Sequence, residues 1–427
     1  MSAETQAKGE VLLQIARLGS QGDGVAENCP GVPGQVFVPF ALPGETVLAR
    51  VAGERGELVS IERASDDRVA PLCRHFTHCG GCDVQHMSAA TYAAWKRQLV
   101  VDAFAQRGLA ADVAPLAAIP SGTRRRAVLS GVMTRNGIVL GFHAARDRTI
   151  VDVAECPVLT PRLAAFLPAV RRLLAALPRF DDEARVTLIE ADNGISMAVA
   201  DAVSTKELSA DVVSRIAAAA AEVTGLLRLS IAGDAVYQRA APEIAMGRAR
   251  VVPPADVFLQ AAHAAEAAMV AHVLAALPKK VTRVVDLFAG VGAFTFPLAE
   301  RASVLAVDSD VTALGALGHA ARNAQGLKPI ETRVRDLFRE PLSRKELEGC
   351  DVAVLDPPRA GAKAQSEMLA KSKVPVVVMV SCNPATLARD VRILVDGGYV
   401  LGAVTPIDQF VFTAHVEAVA VLTRPKK

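Results

Sequence analysis

Three successive strand-like runs that each lead to an acidic residue constrain the fold of this chain most. Residues 304–307 (VLAV) end at Asp308, residues 331–334 lead to Asp336, and residues 352–355 (VAVL) end at Asp356. Ahead of them, residues 284–292 (VVDLFAGVG) read as a strand and a glycine turn, with Ala293, Phe294 and Thr295 opening a helix. Such alternation belongs to an open parallel α/β sheet, whose ligands sit beyond the carboxyl ends of its strands. Gly290 allows the turn a close approach to a cofactor. Asp308 is placed to accept hydrogen bonds from ribose hydroxyls, and Asp336 to meet an adenine edge. A connecting turn rich in proline would not explain acids at three strand ends in order.

The first turn lacks the full G-x-G-x-x-G dinucleotide pattern, and the fourth strand ends in Asp356, Pro357, Pro358 and Arg359. That acid–Pro–Pro turn resembles the one in enzymes that use S-adenosylmethionine on nucleobases. In the amino-group methylases an aromatic residue follows the prolines. Arg359 stands there in this chain, which points to a target other than an exocyclic amine.

A fifth run, Val376, Val377 and Val378, reads as a strand buried on both faces. It leads to Ser381, Cys382, Asn383 and Pro384, and Thr386 and Asp390 fall on a following helix. A cysteine at such a strand end, facing a helix start, is a candidate nucleophile, because the helix terminus favours the thiolate. The competing reading is a buried structural thiol. Further on, residues 406–410 (PIDQF), His415 and Glu417 precede a closing strand at residues 419–422. A glutamate beside a strand is costly unless paired or functional.

The chain of 427 residues has room for two or three domains. Residues 10–62 alternate short strands with Gly and Pro turns, the pattern of a small all-β barrel. Cys73, Cys79 and Cys82 have C-x5-C-x2-C spacing, with Cys156 and Pro157 downstream. Four cysteines, the last followed by proline, suit an iron–sulfur cluster, with zinc as the rival. Gly80 and Gly81 let backbone N–H groups approach cluster sulfurs. Residues 87–107 read as a helix carrying Trp95. Residues 127–133 and 138–142 read as a hairpin, and residues 150–153, 185–200 and 225–235 as further strands. The expected divisions are a barrel over 9–63, a mixed α+β central domain with the cluster site over 64–253, and a Rossmann-like domain over 254–427.

Net charge is +2 and 51% of residues are hydrophobic, much of that alanine. No run approaches the ~18 apolar residues of a membrane span. The N-terminus lacks a signal-peptide core. A soluble cytoplasmic protein that does not engage a membrane is expected. Any nucleic-acid surface must be local, as Arg124, Arg125 and Arg126 and the pair Arg146 and Arg148 suggest.

Together, residues 286–292, 356–359, 381–384 and 415–417 resemble the bacterial RNA uracil-5-methyltransferase family, and the resemblance spans nearly the whole chain. Within that family the barrel, of the TRAM type, and the four cysteines are typical of enzymes acting on 23S ribosomal RNA. The transfer-RNA members are generally shorter and lack both. The resemblance implies Cys382 as nucleophile and Glu417 as base. It implies Gln260, Phe288, Gly290, Asp308, Asp336 and Asp356 around S-adenosylmethionine and the base. It implies Cys73, Cys79, Cys82 and Cys156 around a [4Fe-4S] cluster, in a monomer acting on RNA. Cytosine-5 methylation is a rival, although Arg359 stands where RNA cytosine methylases usually place a second cysteine. A non-catalytic iron–sulfur RNA-binding sensor is a rival from another class.

Overall fold

The computed structural model describes residues 9–27, 29, 34–145, 147–203 and 208–425. Five strands close the N-terminal barrel: β1 (Gly9–Leu18), β2 (Gly24–Ala26), β3 (Val36–Val38), β4 (Thr46–Ala52) and β5 (Arg55–Arg63), in the order β1-β2-β3-β5-β4. Alternation places Leu13, Ile15, Val36, Val38, Val47 and Ala49 in its interior. β2 escapes a reading by periodicity because all three of its residues are buried. Gly24 is required there, since a Cβ would lie 2.7 Å from the Ala41 carbonyl oxygen.

Helix α1 (Ala89–Ala105) joins the barrel to the rest of the chain. The Ser88 hydroxyl caps it by accepting the Thr91 N–H. Its Trp95 indole donates to the Gly19 carbonyl at 3.1 Å, pinning the barrel. Its other face, with Val100, Ala103 and Phe104, enters the core of the C-terminal sheet.

The middle region is a seven-stranded sheet in the order β12-β11-β10-β9-β6-β7-β8. Its strands are β6 (Arg126–Thr134), β7 (Gly137–His143), β8 (Ile150–Asp152), β9 (Ala184–Ala191), β10 (Gly194–Ala200), β11 (Leu226–Ile231) and β12 (Asp234–Gln238). Helices α2 (Pro161–Ala175) and α3 (Ala210–Ala221) pack against it. Residues 185–200 and 225–235, each read as a single strand, are pairs. The first turns at Asp192 and Asn193. The second turns at Ala232 and Gly233, both with positive φ.

A two-stranded ribbon, β13 (Ile244–Met246) and β14 (Ala249–Val251), and helix α4 (His263–Ala275) lead into the last sheet. Its elements are β15 (Arg283–Leu287), α5 (Thr295–Ala299), β16 (Ser303–Asp308), α6 (Val311–Asn323), β17 (Ile330–Val334), β18 (Val352–Leu355), α7 (Lys363–Ala370), β19 (Val376–Ser381), α8 (Pro384–Asp396), β20 (Val400–Ile407) and β21 (Glu417–Thr423). The order is β17-β16-β15-β18-β19-β21-β20, parallel except for the antiparallel pairings of β21. From β15 the chain first moves one way and then the other. The switch point therefore lies at the carboxyl ends of β15 and β18, where such sheets bind ligands. β20 went unread because Gly402 and Pro406 interrupt its pattern; it is an edge strand with an irregular register, where both are tolerated. No helix among the described residues is long and apolar enough to cross a membrane.

Candidate active site

The carboxyl ends of β15, β16, β18 and β19 open onto one cavity of about 540 Å³. Gln260, Phe288, Gly290, Asp308, Asp356, Arg359, Cys382, His415 and Glu417 line it. The turn after β15 holds Phe288 at φ 64° and Gly290 at φ 54°, a left-handed conformation costly for phenylalanine. Three bonds fix that turn against β16: the Phe288 and Ala289 N–H groups donate to the Val307 carbonyl at 2.9 and 3.1 Å, and the Gly290 N–H to Asp308 Oδ2 at 2.8 Å. Gly292 closes the turn where a Cβ would meet the Phe296 ring at 2.6 Å.

Asp336 is not among the residues lining the cavity. Its Oδ1 accepts the Phe338 N–H at 2.9 Å, and Phe338 lines the cavity instead, 5.5 Å from the Phe288 ring. Phe338 went unread; the signal was a large apolar residue left half exposed two positions after a strand-end acid.

Cys382 follows β19, one residue before the Asn383 cap of α8. The helix start was expected to favour its thiolate. Instead the thiol is pushed up to about 11, by burial first and then by the carboxylates of Glu417 and Asp356, with Arg359 opposing. Two nearby acids and a dry wall outweigh the half-charge of a helix terminus. Burial and the neighbouring Asp286 raise Asp356 to about 8. Burial and then Asp356 hold Glu417 well above the usual carboxylate range.

Glu417, the first residue of β21, is 2% exposed. Its partner is Gln409, whose Nε2 donates to Glu417 Oε2 at 3.0 Å and to Gln260 Oε1 at 2.7 Å. Gln260 Nε2 donates in turn to Asp356 Oδ2 at 2.7 Å. Two amides thus join the two acids. The sequence places Gln409 in a motif without giving it a role. His415 stands 3.0 Å from Arg359 Nη2 and packs edge-on against Phe410.

The arginine run does not form the surface expected of it. Arg125 is 6% exposed, pairs with Glu266 at 2.7 Å and donates to the Gln260 carbonyl. Arg126 donates to the Val257 carbonyl, and Arg124 to the Arg126 carbonyl. All three serve the seam between the middle sheet and the cavity wall. Arg148 is exposed; Arg146 lies outside the described residues.

Cys73, Cys79, Cys82 and Cys156 line a second cavity, of about 230 Å³. The Gly81 N–H approaches Cys79 Sγ at 3.4 Å. Burial pushes the Cys82 thiol up to about 12 and raises Cys79 and Cys156. His75 lines the same cavity, and its Nε2 is buried without a partner among the described residues. Among those residues no three His, Cys, Asp or Glu side chains converge tightly enough to hold one metal ion. The cysteines surround a space rather than meet at a point.

With this geometry in view, comparison with known proteins is decisive. Over 413 residues the chain is 42% identical to an uncharacterized RNA methyltransferase of Mesorhizobium japonicum, covering 97% of this chain and 98% of the relative. It is 36% identical to the 23S rRNA (uracil(1939)-C(5))-methyltransferase RlmD of Halomonas elongata, covering 99% of this chain and 91% of that one. A family model described as tRNA (Uracil-5-)-methyltransferase matches residues 249–425. The chain belongs to the RNA uracil-5-methyltransferase family. It is accordingly an S-adenosylmethionine-dependent enzyme. The fold matches that of the Pyrococcus abyssi tRNA (uracil-54, C5)-methyltransferase, with TM-score 0.75, 23% identity and coverage of 97% of this chain and 99% of that one. A transfer-RNA member therefore spans the same length. The expectation that such members are shorter does not hold for this relative, and length does not separate the two substrate classes.

Proposed function

We propose that this enzyme converts a uridine of 23S ribosomal RNA to 5-methyluridine through a covalent adduct of Cys382. The supporting observation is that Cys382 and Glu417 line one cavity with the strand-end residues suited to a nucleotide-like cofactor. At about 540 Å³ that cavity has the size of a small-molecule site. Gln260, Phe288, Gly290 and Asp308 hold the cofactor, with Asp336 acting at the rim through the Phe338 turn. S-adenosylmethionine supplies an electrophilic methyl group there.

Uracil C5 is a poor nucleophile. The target base leaves its stack and enters the cavity. Cys382, deprotonated with the help of the Arg359 charge, adds to C6, and the C5–C6 π electrons move to O4 as an enolate. C5 then takes the methyl group. Glu417 removes the remaining C5 proton, the double bond re-forms and the thiolate leaves. A carboxyl whose affinity for protons is raised by burial suits that role.

The four cysteines fit an iron–sulfur cluster. They are soft donors around a space, whereas a single zinc ion would draw four sulfurs to about 2.3 Å from one point. The chain's 36% identity to a 23S ribosomal-RNA enzyme over 99% of its length supports 23S RNA as substrate. Mapping 5-methyluridine in ribosomal and transfer RNA from a strain lacking the protein tests this: loss from 23S RNA is expected, and loss from transfer RNA alone rejects the ribosomal assignment.

A further inference from the structure

We propose that Gln409 is the positioning residue that holds Glu417 as proton acceptor, and that buried Lys96 fixes Gln409 in place. The proposal rests on the reading of Glu417 as the base. Gln409 is 3% exposed, and its amide has one possible orientation. Its Oε1 accepts the backbone N–H of Ala261 at 3.1 Å, a donor that cannot reverse its role. The Gln409 amino group must therefore face Gln260 Oε1 and Glu417 Oε2. The same reasoning turns the Gln260 amino group to Asp356. Each acid receives one N–H from a pair of amides whose directions are set by the main chain.

Lys96 clamps the segment on both sides of Gln409. It projects from α1, is 0% exposed, and its Nζ donates to Asp408 Oδ1, to the Phe410 carbonyl at 2.8 Å and to the His415 carbonyl at 2.7 Å. All three ammonium protons are accepted, which makes a buried cation tolerable. Asp408 and Phe410 are the immediate neighbours of Gln409. Tyr92, one turn earlier on α1, donates to the Asp408 carboxylate at 2.8 Å and accepts the Phe412 N–H at 2.9 Å. Cys382 hangs from β19 and shares none of these bonds. The device therefore acts chiefly on proton removal, and reaches addition at C6 only through the charge of Glu417 beside the Cys382 thiol.

Glu417 shares its cavity with Asp356, Cys382, Arg359, His415, Glu266 and Asp308. Among the described residues Gln409 is its side-chain donor, and that bond favours the charged carboxylate. Replacing Gln409 by Met keeps the length and removes the donor. With Gln409→Met, the denaturation-resistant adduct on RNA carrying 5-fluorouridine should form within about threefold of the wild-type rate, because that reaction stops before proton removal. Turnover on ordinary RNA should fall about 10- to 100-fold at neutral pH, as for a misplaced catalytic group. Methylated adduct should accumulate. The acid limb of the pH–rate profile should move to higher pH. Lys96→Met should act in the same direction, and the double variant should be no slower than the slower single one, because both act through one bond. Tyr92→Phe provides the same comparison should Lys96→Met fail to fold. Unchanged turnover in Gln409→Met overturns the proposal, as does an equal loss of fluorinated adduct and turnover. If Glu417→Gln turns over normally, the base assignment falls first and takes this inference with it.

Discussion

The two cavities of this protein are built on opposite plans. The first is assembled from strand ends of a parallel sheet, and its functional groups come from residues as far apart as Gln260 and Glu417. In its wall, burial raises the proton affinity of Asp356 and Glu417. The second is assembled from irregular segments around Cys73, Cys79, Cys82 and Cys156, and burial raises the thiols of Cys79, Cys82 and Cys156 in its walls. A seam joins them: the N–H groups of Asp83 and Val84, directly after Cys82, donate to the Phe412 carbonyl at 2.8 and 3.1 Å. The Ala414 N–H donates to Asp83 Oδ2. The loop that leads to Glu417 thus rests on the segment that carries the cysteines. The difference teaches that chemistry and scaffold are separable here, with contact through this seam and through the Arg124–Arg126 segment.

The largest effect should come from the first cavity. Cys382→Ala should abolish methylation and the covalent RNA complex, a loss of more than about 10³-fold, and leave S-adenosylmethionine binding and iron content intact. Radiolabelled methyl transfer and denaturing electrophoresis read both. Near wild-type methylation by this variant would remove the mechanism. Next comes Glu417→Gln, which should still add to C6 and transfer the methyl group, then stall. Its turnover should fall about 10²- to 10⁴-fold, the usual share of general base catalysis, while a methyl-bearing adduct accumulates. Normal turnover would shift suspicion to His415 or Asp408.

The third test strikes the second cavity. Anaerobically purified protein should contain iron and acid-labile sulfide, and Cys79→Ser should lose both. The melting temperature should drop by about 4–10 °C, as expected for a loss of a few kcal/mol, because the proposed cluster would join Cys82 to Cys156. Cofactor binding should persist, since no cysteine of this group lines the first cavity. Stoichiometric zinc without sulfide would reject the cluster. Methylation as thoroughly lost as in Cys382→Ala would show that the seam transmits far more than the separation implies.

How much of this was legible in the sequence follows the same division. The strands β15, β16, β18 and β19 were readable because buried parallel strands are mostly apolar runs, and the acids at the ends of β16 and β18 mark where a ligand sits. Cys382 and Glu417 were readable from strand ends and motif. The state of Cys382 was not, because it depends on Asp356 and Glu417 brought close from other strands. Gln409, Tyr92 and Lys96 were unreadable as a group: a buried lysine in a helix pattern says nothing until its partners 312 to 319 residues away are known. The run at Arg124, Arg125 and Arg126 misled for the converse reason, since burial of Arg125 against Glu266 is invisible to charge counting.

The smallest effect sharpens the contrast between acid walls and thiol walls. Asp286, on β15 beneath the first cavity, is fully buried; its Oδ2 accepts the Thr295 hydroxyl at 2.5 Å and its Oδ1 has no partner among the described residues. Burial, opposed by the Thr295 bond, raises its carboxyl from 3.8 to about 7. A raised folded-state value means that the native protein binds this proton more tightly than the unfolded chain. Its contribution to stability is therefore full below about pH 4 and is lost as pH rises through about 7. Asp286→Asn carries no such proton. Glu417 is common to both proteins and cancels in the difference, whereas Asp356, which the neighbouring Asp286 raises, is relieved in Asp286→Asn and adds to the difference in the same direction. Each pKa unit is worth about 1.4 kcal/mol, and relaxation reduces a three-unit shift to about 2 kcal/mol at pH 8. About a third of that is already lost at pH 5, so the melting temperature of Asp286→Asn relative to wild type should be about 2–5 °C higher at pH 8 than at pH 5. A difference that stays constant across that range would mean that Asp286 remains charged in the folded protein. The cation compensating it would then have to be sought in the first cavity.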